Sequence, residues 1–389
     1  MKILFLLRFF PVYGGGETVT IKLANKLVEH GYDVGIFFIW DKTRENPPFV
    51  DKRIKQFKAN NIEPPVRVDN YKKSAAKQIK KELSRVIASF APDIIINQWY
   101  PAKLVSEAND NFAKIITCLH STVIEPLFKD SFRQRLVCKI LGDRNGKKWQ
   151  AFKRRLRLRR DYKYSDKYVL LSERFTSDFY ELTKLKDEGK VLGINNPAFF
   201  DSWIEEKELE KKENVVLFVG RFGQEKRINL ILFSWHLLPT ELKKNWKLVL
   251  CGDGVLWQEM KDYAKSLSLE NVEFLGQCNP AESYKKAKIF LMTSLFEGFG
   301  MTLVECQQFG GIPIVMDSYR SLHDIVIDGH NGFITPNNEI KVFTEKLKSI
   351  MENDTKLHEM AKNAISYSKK FDVENIIVQW ENLFKEMVV

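Results

Sequence analysis

Apolar residues in this chain fall into two alternating patterns. Short unbroken runs such as KILFLL (Lys2–Leu7) and DVGIFFI (Asp33–Ile39) are followed by stretches in which apolar residues recur every three or four positions. The unbroken runs read as strands buried on both faces, the spaced stretches as helices packed on a sheet. Between the first two runs lies a Pro- and Gly-containing loop ending at Gly14-Gly15-Gly16, then Val19, Leu23, Leu27 and Val28 on one helical face. Gly31 stops that helix, so Glu17–His30 is predicted helical and the segment is a β-loop-α-β unit. Further strands are predicted at Asp93–Asn97, Lys114–Leu119 and Tyr168–Leu171.

The alternation restarts after Glu205–Asn214, a charged stretch with few apolar residues. Val215–Gly220 and Lys247–Leu250 read as strands separated by a helix over Arg227–Leu238. Asn271–Leu275, Ile289–Met292, Pro313–Val315 and Gly332–Thr335 read as the strands that follow. Two successive α/β units of similar size predict two Rossmann-like domains hinged near residues 197–213. A final helix over Val373–Met387 has apolar residues at 376, 380, 383, 384 and 387. That stripe needs a partner, and packing back across the hinge is one way to bury it.

At 389 residues and 44 % hydrophobic, the chain can fill two cores, and 29 % charged residues exclude a protein embedded in a membrane. The apolar run Ile3–Leu7 is closed by Arg8, too short for a signal peptide's core or a membrane span. Five cysteines (118, 138, 251, 278, 306) are scattered without a Cys-x-x-Cys. The expectation is free thiols in a reducing cytoplasm, with neither a disulfide framework nor a zinc site. The net charge of +11 is concentrated in one place. Between Arg133 and Lys163 thirteen Lys and Arg face only Asp143 and Asp161, and the rest of the chain balances to zero. A single anionic surface is the partner such a segment suits.

In doubly wound sheets, ligands sit beyond the carboxyl ends of the strands. Four loops of the second half leave such ends: Arg221–Lys226, Cys251–Gly254, Gly276–Asn279 and Ser294–Gly300. Arg221 and Lys226 place two cations on a loop opening a helix, which suits a diphosphate, although two solvated surface cations would look the same. In FEGFGMTLVE (296–305), Gly298 and Gly300 permit a sharp turn into a helix predicted over Met301–Phe309. Its first N–H groups, near Met301 and Thr302, extend an anion cradle. Glu297 before the turn and Glu305 within the helix can then meet hydroxyls on either side of a phosphate. A nucleotide sugar has that layout.

With Gly220-Arg221-…-Lys226, Gly252-Asp253-Gly254 and Glu297-x7-Glu305 in order, the chain resembles the retaining glycosyltransferases of the GT-B fold, family 4. The resemblance covers most of the chain. It implies an α/β GT-B architecture of two facing Rossmann-like domains with a cleft between them. The N-terminal, acceptor-binding domain would span 1–196 and take back the helix 372–389; the nucleotide-sugar domain would span 197–371. The implied reaction moves a sugar from a UDP-, GDP- or ADP-linked donor to a glycan or lipid-linked glycan, in cell-surface polysaccharide or lipopolysaccharide biosynthesis, without metal or bound cofactor. Arg221 and Lys226 would hold the diphosphate and Glu297 the donor sugar. Gly252, Thr302 and the backbone of Phe299, Gly300 and Met301 would support sugar and phosphate, Glu305 the ribose, and the Gly276–Asn279 loop the base. Gly15 and Gly16 would reach the donor phosphate across the cleft. Where the family usually has glycine after the lysine, this chain has Arg227.

His120 ends the strand KIITCLH; a lone histidine is as readily structural, but the family keeps a cleft histidine after this strand. Gln98, Trp99 and Tyr100 are candidates for the acceptor pocket, and Trp99 equally suits the core. Gly14–Gly16 also lies near a dinucleotide fingerprint, with Asp41 as ribose ligand, so an NAD-dependent oxidoreductase is the rival reading. A sugar-nucleotide epimerase or phosphorylase on the same fold, and a non-catalytic carbohydrate-binding subunit, are further ones. AFKRRLRLRRDYK (151–163) sets Trp149, Phe152, Leu156 and Tyr162 at helical spacing among cations. One reading turns Arg154, Arg155, Arg157, Arg159 and Arg160 to an anionic membrane, with the enzyme peripheral on its inner face. Another is a solvated helix with one face in the core. Nucleic acid is not favoured, because no recognised module accompanies the charge.

Overall fold

The structure, a computed structural model, describes residues 1–12, 14–41, 47–60, 62, 73–124 and 132–388; side chains of 73–74 and 132–144 also lie outside the described set. The chain divides into two compact units, Met1–Pro197 with Val373–Val389, and Ala198–Asp372. Each is built on a parallel sheet.

The first unit carries β1 (Lys2–Leu6), β2 (Asp33–Phe38), β3 (Lys55–Lys58), β4 (Ile94–Asn97), β5 (Lys114–Leu119), β6 (Lys167–Leu170) and β7 (Val191–Gly193) in the order β3-β2-β1-β4-β5-β6-β7. The second has β8 (Glu213–Val219), β9 (Lys247–Cys251), β10 (Val272–Gly276), β11 (Ala287–Met292), β12 (Ile312–Asp317) and β13 (Phe333–Pro336) in the order β10-β9-β8-β11-β12-β13. In both sheets the order reverses beside the first strand, between β1 and β4 and between β8 and β11. That reversal opens a crevice at the carboxyl ends. The central strands are buried along their length, as their unbroken apolar runs require. Two edge strands escape the sequence pattern: KQFK of β3 is mostly exposed and VLG of β7 has three residues. An edge strand half in water carries no apolar run.

The helix Val373–Val388 belongs to the first unit, where it packs against the helix Gly15–Glu29. Ile376, Ile377, Trp380, Leu383, Phe384 and Met387 form its buried stripe. Lys26 pairs with Glu374 at 2.5 Å, His30 lies between Glu374 and Glu381, and Lys167 pairs with Glu386 at 2.6 Å.

The charged stretch Glu205–Asn214 holds a short 3-10 helix, Glu206–Lys211, with Leu209 buried. Lys212 is buried too, and its ammonium donates to the carbonyls of Tyr284, Lys285 and Ala287 at 2.9, 3.3 and 2.5 Å, where the helix Pro280–Lys286 ends. Burial pushes its pKa down to about 7, and the helix-end carbonyls are what the cation finds in exchange for water. The expectation that every thiol is free is corrected. Cys251, at the end of β9, and Cys278, just past the neighbouring β10, form a disulfide with Cα atoms 6.5 Å apart. Adjacent parallel strands deliver the two residues to one place, which sequence spacing does not report. Cys118 and Cys306 are buried and free, and the side chain of Cys138 is outside the described residues.

Candidate functional site

The crevice between β8 and β11 is built from the loops that leave those strands. After β8 the chain makes a short turn, Gln224–Lys226, and after β11 it runs through Thr293–Gly300 into the helix Met301–Gln308. Backbone ties hold the loops side by side: Leu295 N–H donates to the Glu225 carbonyl at 2.7 Å, and the Thr293 hydroxyl to the carbonyls of Lys226 and Arg227 at 2.9 and 3.0 Å. The Lys226 ammonium consequently meets a Glu297 carboxylate oxygen at 2.6 Å, with the two side chains only 18 % and 16 % exposed. The structure thus brings Lys226 and Glu297 together. Arg221 is 74 % exposed and bonds Glu225, also at 2.6 Å, rather than Glu297.

Arg227 was not among the predicted site residues, yet it fixes this arrangement. Its backbone is left-handed (φ 49°, ψ 45°), a conformation that glycine adopts without strain and arginine does not. Here the guanidinium offsets the strain. It donates to the Thr293 and Ser294 carbonyls at 2.5 and 3.2 Å and to the amide oxygens of Asn337 and Asn338 at 2.9 and 2.6 Å. One side chain therefore clamps the start of the Glu297 loop to the loop after β13. The only sequence signal was its departure from the family's glycine. Ser294, in the same loop, has a buried hydroxyl without a partner among the described residues.

The turn into the helix Met301–Gln308 depends on Gly300, whose φ is +99° and where a Cβ would stand 2.9 Å from the Tyr319 hydroxyl. With glycine as N-cap, no side chain caps the first turn, which leaves the N–H groups near Met301 and Thr302 for a ligand. The Ser321 hydroxyl holds the Gly298 and Phe299 carbonyls at 3.2 Å each. The Phe299 ring itself is core, edge-on to Phe371. Glu305 is buried and accepts from the Tyr284 hydroxyl at 2.8 Å. Burial pushes its carboxyl up to about 7, opposed by that hydrogen bond. Gly252 has a packing reason of its own: a Cβ there would fall 1.9 Å from the Gly220 carbonyl oxygen, and its N–H is already given to Gly276.

In the first unit, Gln98 and Trp99 follow β4 and His120 follows β5. His120 Nε2 hydrogen-bonds Gln98 Oε1, and its ring stacks on Trp99 with centroids 5.2 Å apart. Gly16 completes the group, because a Cβ there would lie 2.8 Å from the Trp99 ring and 3.4 Å from His120, whereas Gly15 is open. Burial holds the imidazole neutral by pulling its pKa to about 4. Trp99 Nε1 is buried with no partner among the described residues. Tyr100 is corrected from acceptor candidate to core: it is buried, and its hydroxyl donates to the Leu7 carbonyl at 2.7 Å. Its amide is bonded by Asn97.

The basic segment lies on one helix, Phe132–Lys163. Its predicted apolar seam splits. Leu158 and Tyr162 turn inward, while Trp149, Phe152 and Leu156 are 40, 48 and 51 % exposed. Arg154 is removed from the outward-facing candidates, since its guanidinium bonds Ser121, Thr122 and Val123 at 2.9, 2.6 and 3.2 Å. Arg159 likewise donates to the Thr183 carbonyl at 3.0 Å. Arg157 and Arg160 are exposed and Arg155 is half-buried.

Two outcomes follow. Arg227→Ala loses the clamp and keeps the strained backbone, and is expected to cost about 2–3 kcal/mol in urea unfolding. Arg227→Gly should recover about 1 kcal/mol of that by relieving the left-handed conformation; equal stability of the two variants contradicts the strain argument. Glu305 has its ordinary value of 4.5 when unfolded and about 7 when folded. Folded protein therefore retains this proton across that window, so its contribution to stability is full below 4.5 and is lost as pH rises to about 7. Glu305→Gln should flatten that fall in a pH series of urea unfolding, and an unchanged profile refutes it.

Residues 199–367 match the family model for glycosyl transferases group 1. The chain is 31 % identical over 199 residues to the GalNAc-alpha-(1->4)-GalNAc-alpha-(1->3)-diNAcBac-PP-undecaprenol alpha-1,4-N-acetyl-D-galactosaminyltransferase of Campylobacter jejuni, covering 51 % of this chain and 55 % of that protein. It is 24 % identical over 390 residues to an uncharacterized glycosyltransferase of Haemophilus influenzae, covering 98 % and 99 %. The fold is that of HepE from Anabaena, solved with UDP-glucose, at TM-score 0.71 and 17 % identity over 99 % of this chain and 100 % of that one. Residues 199–367 thus carry a glycosyl transferases group 1 match, in a chain built on the GT-B fold.

Proposed function

We propose that this protein is a retaining glycosyltransferase that moves a sugar from a nucleotide-sugar donor onto a glycan or lipid-linked glycan. The observation that carries the reading is the Lys226–Glu297 contact at the uncapped start of the helix Met301–Gln308. A cation, a carboxylate and free helix N–H groups at one point suit a phosphate joined to a hydroxylated ring. In this reading the donor diphosphate takes Lys226 from Glu297, with Arg221 swinging in from the surface. Glu297 is released to accept from sugar hydroxyls, and Glu305 meets the ribose. The bond from the anomeric carbon to the phosphate oxygen breaks, and its electron pair leaves on the diphosphate, where the cations stabilise it. An acceptor hydroxyl bonds the same carbon from the same face and gives its proton to the departing phosphate. Neutral His120, oriented by Gln98 and backed by Trp99, is the candidate for holding donor or acceptor hydroxyls. The Campylobacter relative supports a lipid-linked acceptor, and the HepE complex supports a uridine donor.

Glu297→Ala and Lys226→Ala are each expected to lower sugar transfer at least tenfold with the thermal midpoint unchanged. Activity near wild type in both would refute the assignment. Donor choice is read from a thermal-shift series with UDP-, GDP- and ADP-sugars.

The exposed ridge of Trp149, Phe152 and Leu156 supports an anionic membrane as partner. Lys153 lies 4.9 Å over the Trp149 ring and Arg157 beside it is exposed, so apolar insertion and charge attraction act on one face. Among the described residues no helix is long and apolar enough to cross a membrane. Replacing all three ridge residues by alanine should cut sedimentation with phosphatidylglycerol vesicles at least tenfold, while thermal stability holds because the side chains are exposed. Undiminished binding rejects this surface.

A further inference from the structure

The outward face of the helix Phe132–Lys163 continues past the ridge into a cavity of about 650 Å³ at the helix's last turn. Arg159, Arg160 and Lys163 line it from this helix, Lys103 from the helix Ala102–Ala108, and Lys190 from the segment just before β7. The remaining wall is Tyr162, Tyr164 and Leu185, so five lining residues are cationic and none is acidic.

Acids behind the wall answer part of this charge. Asp161 accepts the Ala102 N–H at 3.2 Å with Arg160 at 3.8 Å, Glu188 accepts from the Tyr162 hydroxyl at 3.1 Å, and Glu107 lies 3.6 Å from Lys103. Two ammonium groups instead rest on aromatic faces, Lys190 at 4.4 Å over Tyr162 and Lys163 at 5.6 Å over Tyr164. Rings are weak partners that a stronger anion displaces. Arg159 is held in place by Thr183. With two of the five cations paired and no acid on the wall itself, the remaining charges repel one another and focus a positive field into the cavity. A bound dianion removes the repulsion.

Within the first unit, the cavity lies apart from the His120 group. Lys163 and Lys190 come just before β6 and β7, at the amino ends of those strands, whereas His120 follows the carboxyl end of β5. Guanidinium and ammonium donors around one hollow suit phosphate oxygens, and about 650 Å³ leaves room for an organic group against the tyrosine rings. We propose that this cavity binds a phosphate ester, either the headgroup of an anionic lipid or a soluble phosphorylated compound.

The test compares wild type with Lys103→Gln/Arg160→Gln/Lys163→Gln, whose side chains are exposed, using the full chain. Glycerol 3-phosphate is titrated calorimetrically, and phosphatidylglycerol and phosphatidylcholine vesicles are used in sedimentation. Arg221→Ala/Lys226→Ala serves as the control for binding in the other unit. At least tenfold weaker glycerol phosphate binding in the triple variant, but not in the control, supports a soluble ligand. A tenfold loss restricted to phosphatidylglycerol vesicles supports a lipid headgroup. Lys103→Gln alone, on a separate helix, should weaken either at least threefold and guards against a defect in the basic helix. Equal binding by wild type and triple variant to both probes, or no binding by wild type to either, overturns the proposal. A UDP-glucose thermal shift on the same samples reports the donor reading separately.

Discussion

Lys226 and Glu297 can meet only because two loops leaving neighbouring parallel strands are kept within one residue's reach of each other. An ion pair largely withdrawn from water gains little unless its geometry is held. The holding is done by main chain and by uncharged or fully engaged groups: the Leu295 amide on the Glu225 carbonyl, the Thr293 hydroxyl on two carbonyls, and the Arg227 guanidinium on four oxygens. The charges themselves are then spare. Each has a partner in the free protein, and each can exchange it for a ligand without the loops moving.

The same economy accounts for the glycines. Gly300 and Gly252 stand where another chain segment passes too close for a Cβ, the Tyr319 hydroxyl in one case and the Gly220 carbonyl in the other. Gly16 does the same in the first unit against Trp99 and His120. A motif glycine near a phosphate site is easily credited to the ligand. In this fold three of them are required by the protein's own backbone or rings before any ligand arrives.

The long basic helix shows how one element carries two jobs on opposite faces. Its inward face spends Arg154 on the turn Ser121–Val123 and buries Leu158, while its outward face keeps apolar rings and cations together in water. Cations with stems long enough to reach carbonyls can serve as structural donors, so a count of charges overstates the surface charge. The buried ammonium of Lys212 makes the same point in the second unit.

Much of the fold was legible because burial imprints itself on a strand's own residues: β1, β4, β8 and β11 are unbroken apolar runs, and the restart of the alternation announced a second sheet. Two of the residues singled out by motif, Lys226 and Glu297, lie on loops that the structure sets side by side. What the sequence could not decide was who meets whom. Lys226 and Glu297 are 71 positions apart, Arg227 and Asn338 are 111, and Cys251 and Cys278 are 27. Those meetings are set by sheet order and by the direction of each loop, and neither leaves a local trace. Periodicity likewise grouped Tyr162 with Trp149, Phe152 and Leu156, and placed Tyr100 beside Gln98 and Trp99. Only packing, which decides the face on which water is excluded, separated buried Tyr162 from its exposed neighbours and gave the Tyr100 hydroxyl to the Leu7 carbonyl.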